Sequence, residues 1–247
     1  MNGAYVRTRL HDKCTWISLL VLFFYSAAGL IPGVMPRLAG NDLHRFFDMH
    51  FTAFFSLFTV ALVQIPLYFV FILVNRHFFF NAAVYVRFSD SRRYWARRFL
   101  AFAEDAVIYV LFLYLLLLGQ FACLGRIAAL QGHERFLLIC FGVQCLSYFA
   151  FSVLLTFVSI AFNSQMAGFF CLYGLIVADY FEWTSHWLGI GSGNREPLFF
   201  LTAICLNPVH MERCGPMALL MAGLAAGLFL LLPVLCGSRD ILDRKKA

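Results

Sequence analysis

An all-α, polytopic integral membrane protein of about six transmembrane helices, with the N- and C-termini both cytoplasmic, is the fold class this sequence predicts. Three observations carry the prediction. Hydrophobic residues make up 62% of the 247-residue chain and charged residues only 13%, a balance suited to lipid as solvent. Apolar runs of roughly bilayer length, about 20 residues each, recur along the chain with short connections. The basic residues gather in alternate connections, which is the pattern a membrane imposes on loops.

Taken in order, the first span is expected over Thr15 to Val34. It is too long for a signal peptide and no small-residue cleavage signal follows, so it is expected to be retained. The second runs from Phe51 to Val74 and contains Pro66, which predicts a kink. A basic amphipathic segment, residues 75–98, separates it from the third span at Phe99 to Leu118. The fourth, Phe136 to Phe162, is longer than a bilayer requires and should tilt or project. The fifth, Met166 to Tyr180, has an apolar part that stops before Asp179, so it is either a short span or one with an acidic outer end.

Residues 181–215 should form an outer segment. Within it Leu198 to Leu206 is too short to cross as a helix, and Trp183 and Trp187 suit an interface. The sixth span, Pro216 to Leu235, carries M-A-G-L-A-A-G, whose small side chains allow close helix packing.

Orientation follows from the 19 Lys and Arg residues. Thirteen fall in the N-terminal tail, the second connection and the C-terminal tail, against six in the other connections. The excess puts both termini and the arginine-dense stretch, with Arg87, Arg92, Arg93, Arg97 and Arg98, on the cytoplasmic side. A net charge of +6 distributed in this way signals topology and contact with acidic lipid, so nucleic acid is not an expected partner.

Enzyme signatures are missing. There is no G-x-x-x-x-G-K-[ST], no H-E-x-x-H and no G-x-S-x-G, and the only lysines are Lys13, Lys245 and Lys246. No catalytic, cofactor or metal residues are therefore expected. The eight cysteines show no C-x-x-C spacing and read as packing residues. Cys205 and Cys214 are the one pair on the outer side that could join.

Asp179, Glu182 and His186, at spacings of three and four, would share one helix face and could form an outer polar site for a cation or proton. The plainer reading makes them the solvated outer end of the fifth span. Glu104 and Asp105 pose the same choice at the start of the third span, where a helix N-terminus already favours acids. The 30 phenylalanines could line a cleft for an amphipathic substrate or could simply fill helix interfaces. Gln64, Gln144 and Asn163 are too few to define a polar route.

With that topology, the stretch V-R-F-S-D-S-R-R-Y-W-A-R-R, Val86 to Arg98, is similar to an R-x-x-S-R-x-x-W-like stretch of permease subunits in ATP-binding-cassette exporters. The bacteriocin-export, immunity and multidrug types carry it before the third span. The ending G-S-R-D-I-L, Gly237 to Leu242, resembles their basic-Asp-Ile-Leu ending, and short outer elements before the last helix are shared too.

The resemblance implies a bacterial plasma-membrane permease that pairs with itself or with a related permease. It also implies that ATP and magnesium are held by a separate ATPase subunit. Phe88, Tyr94 and Trp95 would be buried anchors in a groove of that ATPase, with Arg92 and Arg93 at the rim. The alternative for this segment is a purely topogenic arginine cluster with interfacial aromatics. For the whole chain the alternatives are an ion-gradient-driven transporter or channel and a non-transporting scaffold or immunity protein.

Overall fold

The computed structural model describes residues 12–29, 42–72, 91–162, 164–187 and 214–237. For residues 91–93, 182–187 and 232–237, and for 214, 217 and 229, the description covers the backbone only. Every element among the described residues is helical. In chain order they are α1 (Lys13–Gly29), α2 (Leu43–Phe54), α3 (Leu57–Thr59), a π-helical turn (Val60–Gln64), α4 (Ile65–Ile72), α5 (Ser91–Cys123), a 3₁₀ turn (Ile127–Leu130), α6 (Glu134–Ala161), α7 (Gln165–Trp187) and α8 (Cys214–Gly237).

Three stretches are long and apolar enough to cross a membrane: Leu43–Ile72, Tyr94–Cys123 and Glu134–Ala161. Three shorter apolar helices, Lys13–Ala28, Gln165–Phe181 and Ala218–Leu228, accompany them. α6 lies at the centre, against α5, α7 and α8, while α1 packs on α4 and α5.

The side chains are sorted as lipid requires. Leu111 and Leu115 on α5, Leu138 on α6, Phe170 on α7, and Leu219 and Leu230 on α8 point outward. The inward stripe of α5 instead carries Arg98, Phe102, Asp105, Tyr109 and Gln120, all buried. On α6 the inward residues include Gln144, Tyr148, Ser152, Thr156 and Ser159. Polar groups turned inward and leucines turned outward suit an apolar solvent, where an unsatisfied polar group costs several kcal/mol.

The second apolar run departs from a simple kinked span. Its helix begins earlier, at Leu43, where Asp42 accepts from the amides of His44 and Arg45 at 3.0 and 3.1 Å. It breaks at Phe55–Ser56, and Ser56 caps the restart by accepting from the Thr59 amide. Pro66 follows the π-helical turn. Its missing N–H and its ring disfavour a regular α-turn, and the wider turn relieves both.

The third run also differs from expectation. α5 is one helix from Ser91, so residues 91–98 of the arginine-dense segment are its first turns rather than a separate element. The helices α6 and α8 cover the fourth and sixth expected apolar runs to within a few residues, and of the two α6 is long and apolar enough to cross a membrane.

α6 and α7 come close together at Gly168. A Cβ there would sit 2.9 Å from the Ser159 Cα and amide nitrogen, and nearer still to its hydroxyl. Glycine is what lets these backbones meet. The small residues of α8 are divided: Ala225, with Met221, packs on Ala150 of α6, while Gly223 and Gly227 face open space.

Candidate functional site

Gln64, the last residue of the π-helical turn, is the hub of a buried polar network. Its side-chain amide nitrogen donates to the Phe54 carbonyl at 3.1 Å, satisfying an acceptor that the end of α2 leaves open. Its backbone carbonyl accepts from the Tyr109 hydroxyl at 2.5 Å. Its side-chain oxygen receives a longer contact, 3.4 Å, from Tyr148. One residue thereby ties together α2, the turn, α5 and α6.

A second strand of the network runs through Ser152. Its hydroxyl donates to the Tyr148 carbonyl at 3.2 Å, so its oxygen is left to accept from Tyr68 at 2.5 Å. The rings of Tyr68, Tyr109 and Tyr148 lie 4.7 to 5.3 Å apart in edge-on and tilted contacts. All three tyrosines are fully buried. Uncharged donors and acceptors of this kind hold helices in register and can be exchanged for other partners during a helix movement.

A smaller network joins α1, α2 and α5. Gln120 donates its amide nitrogen to the Ser26 carbonyl and hydroxyl, both at 2.8 Å, and its oxygen lies 2.9 Å from His50 Nε2. Because that oxygen can only accept, His50 carries its proton on Nε2. Phe46 and Phe121 enclose the imidazole. Around them Phe47, Phe51, Phe55 and Phe136 interlock edge to face and in stacks, so these phenylalanines fill helix interfaces.

At the opposite end of α5, Arg98 is buried with its guanidinium 5.2 Å from the Trp95 ring and 5.4 Å from the Phe102 ring, and it donates to the Thr156 hydroxyl at 3.4 Å.

The sequence-predicted docking residues are distributed unevenly around this end. Tyr94 and Trp95, expected as anchors for a partner, are 4% and 2% exposed and packed with Phe102, Val153 and Ile160. The outward face of these turns is instead formed by Ala96, Arg97 and Leu100. Arg92 and Arg93 lie on the first turn of α5, their side chains outside the description, and Phe88 lies outside the described residues. Of the possible outer polar site, Asp179 is buried, and α7 continues helically through 182 and 186, so the three positions do share a face. The side chains of Glu182 and His186 lie outside the description, as do Asn163, Cys205 and Leu198 to Leu206.

Among the described residues no three His, Cys, Asp or Glu side chains are grouped to hold a metal ion. In the sequence, Gln64, Gln144 and Asn163 are too few to define a polar route. The signal that identifies the Gln64 hub is a glutamine two residues before a proline, inside a run with no other polar amide. Compared with models of protein families, with curated proteins and with solved structures, the chain matches none.

Proposed function

We propose that this chain is the membrane-spanning permease subunit of an exporter driven by a separate ATP-hydrolysing subunit. Six helices would cross the cell membrane, with both termini cytoplasmic. Its cargo would be amphipathic or peptide-like. ATP and magnesium would be held by the ATPase, and a second permease, identical or related, would complete the pathway.

The observation that carries this reading is the continuity of α5. It runs 33 residues, about 50 Å, from the arginine-dense turns to Cys123. Its inward face reaches Arg98, then Tyr109 at the Gln64 hub, then Gln120 at the His50 network. A force applied to its first turns therefore reaches both networks without crossing a hinge. That is the lever an ATPase beneath the membrane needs.

The contact with the ATPase would use Phe88, Arg92 and Arg93 together with the outward face at Ala96, Arg97 and Leu100. Tyr94 and Trp95 would anchor the lever internally, to α6, and pass its movement on. The test is Arg97→Glu, an exposed change that should leave folding intact while reducing recovery of the ATPase with the permease. Undiminished recovery would remove the proposed contact.

The burial of two carboxylates, Asp105 at 0% exposed and Asp179 at 5%, favours a second reading, an ion-gradient-driven transporter. Transport that persists without ATP, collapses with the gradient and is abolished by Asp105→Asn would select it.

A further inference from the structure

At one end of the bundle, α2 meets the connection between α5 and α6 around two histidines far apart in sequence. His44 Nδ1 and His133 Nε2 lie 2.9 Å apart. A bond between them needs one protonated and one bare nitrogen, so the pair shares a single proton at that contact. A second proton would set two N–H groups against each other and two positive charges side by side. The His133 ring is stacked on Phe47 of α2, with centroids 3.9 Å apart and planes at 14°, so the contact joins the two elements through both ring face and ring edge.

The charged neighbours are few. Asp48, one turn beyond His44 on α2, and Glu134, at the start of α6, favour a charged His133, whereas burial and His44 oppose it. Arg126, which precedes the 3₁₀ turn, lies over the Phe46 ring at 5.6 Å. Arg45 on α2 and Arg135 on α6 are exposed. Asp48 Oδ1 is buried without a hydrogen-bond partner. His44, at the very start of α2, is exposed and His133 is half-buried.

We infer that His44 and His133 form a proton-sensitive latch between α2 and the α5–α6 connection, closed while the rings share one proton and released when both are charged, Asp48 then accepting from His133. This device is independent of what energises transport.

Hydrogen–deuterium exchange of the full chain in lipid nanodiscs, with and without a chelator, tests it. The readout is the protection of amides 43–54 and 127–133 at about pH 7.5 and about pH 5, corrected for intrinsic exchange, a range that spans imidazole titration. In the wild type, protection should be several-fold lower in acid, because the open form takes up a proton that the closed contact excludes. His133→Gln should show no such loss, since an amide offers both donor and acceptor at either pH, and His44→Gln a smaller one, because only the burial of His133 then opposes its charge.

His44 is exposed, so its variant carries the test even where His133→Gln does not fold. Equal wild-type protection at both pH values, or the same acid loss in His44→Gln, overturns the latch. So does a loss of neutral-pH protection when the chelator is added, which would make the histidines metal ligands instead.

Discussion

The Tyr109 hydroxyl donates to the Gln64 backbone carbonyl across 2.5 Å, joining α5 to the turn that precedes Pro66. The carbonyl belongs to a distorted segment and its donor to an unbroken helix, so the bond fixes how the broken half and the continuous half of the bundle sit. Tyr109→Phe keeps the ring packing and removes the donor. It should lower stability by about 0.6–2 kcal/mol, within the range for hydrogen bonds in membranes and in protein cores. Tyr148→Phe, losing a longer 3.4 Å contact, should cost less. Thermal unfolding of the two variants in one detergent ranks them, and a reversed order would show that Gln64 is not organised as described.

Gly168→Ala should push α7 away from α6, because the new Cβ would meet the backbone of Ser159 and not merely a movable side chain. A cost of about 1–3 kcal/mol is expected for overpacking. Gly174→Ala on the same helix meets nothing within 4 Å and should be neutral or slightly stabilising. The pair is compared by detergent-resistant melting temperature, and equal effects would contradict the close approach.

Trp95→Ala should destabilise the fold by about 3–5 kcal/mol, because it empties a packed site and strips Arg98 of one aromatic face. Its effect on any partner would therefore come with lower yield and a lower melting temperature. A variant that folds as well as wild type would place Trp95 outside the core, free to anchor in a partner's groove.

Burial holds His133 below its ordinary value of 6.5, so the folded chain binds fewer protons than the unfolded one once pH falls under that value. The stabilisation from neutral His133 is complete above about 6.5 and lost progressively below it, towards the lower folded-state value. Melting temperature in the wild type should fall through this window more steeply than in His133→Gln. Parallel curves would show that other groups set the acid sensitivity.

Much of the helical layout was legible from the chain, and the exceptions have physical causes. α6 and α8 were readable because long apolar runs end at polar or glycine-rich stretches, which is enough to mark a helix. The start of α5 was not, because arginines that signal orientation also tolerate helix, and nothing local distinguishes a basic loop from a basic first turn. Pro66 announced a distortion, but the break lies ten residues earlier, at Phe55–Ser56, where Gln64 bonds the Phe54 carbonyl and Ser56 caps the restart. The tyrosine network was hidden for a related reason. Tyr68, Tyr109 and Tyr148 look like ordinary apolar-run aromatics until three helices bring their hydroxyls to Gln64 and Ser152. Polar groups within an apolar run must find partners, but the sequence does not say which.

The central claim, a lever moved by a separate ATPase, is tested most directly by mild-detergent affinity purification of the chain from its native membranes with identification of what co-purifies. A P-loop ATPase recovered in stoichiometric amount, and depleted by Arg97→Glu, is the predicted result. Recovery of the chain in several detergents with no ATPase would contradict the claim and leave the gradient-driven reading, with Asp105 and Asp179 at its centre, as the one to pursue.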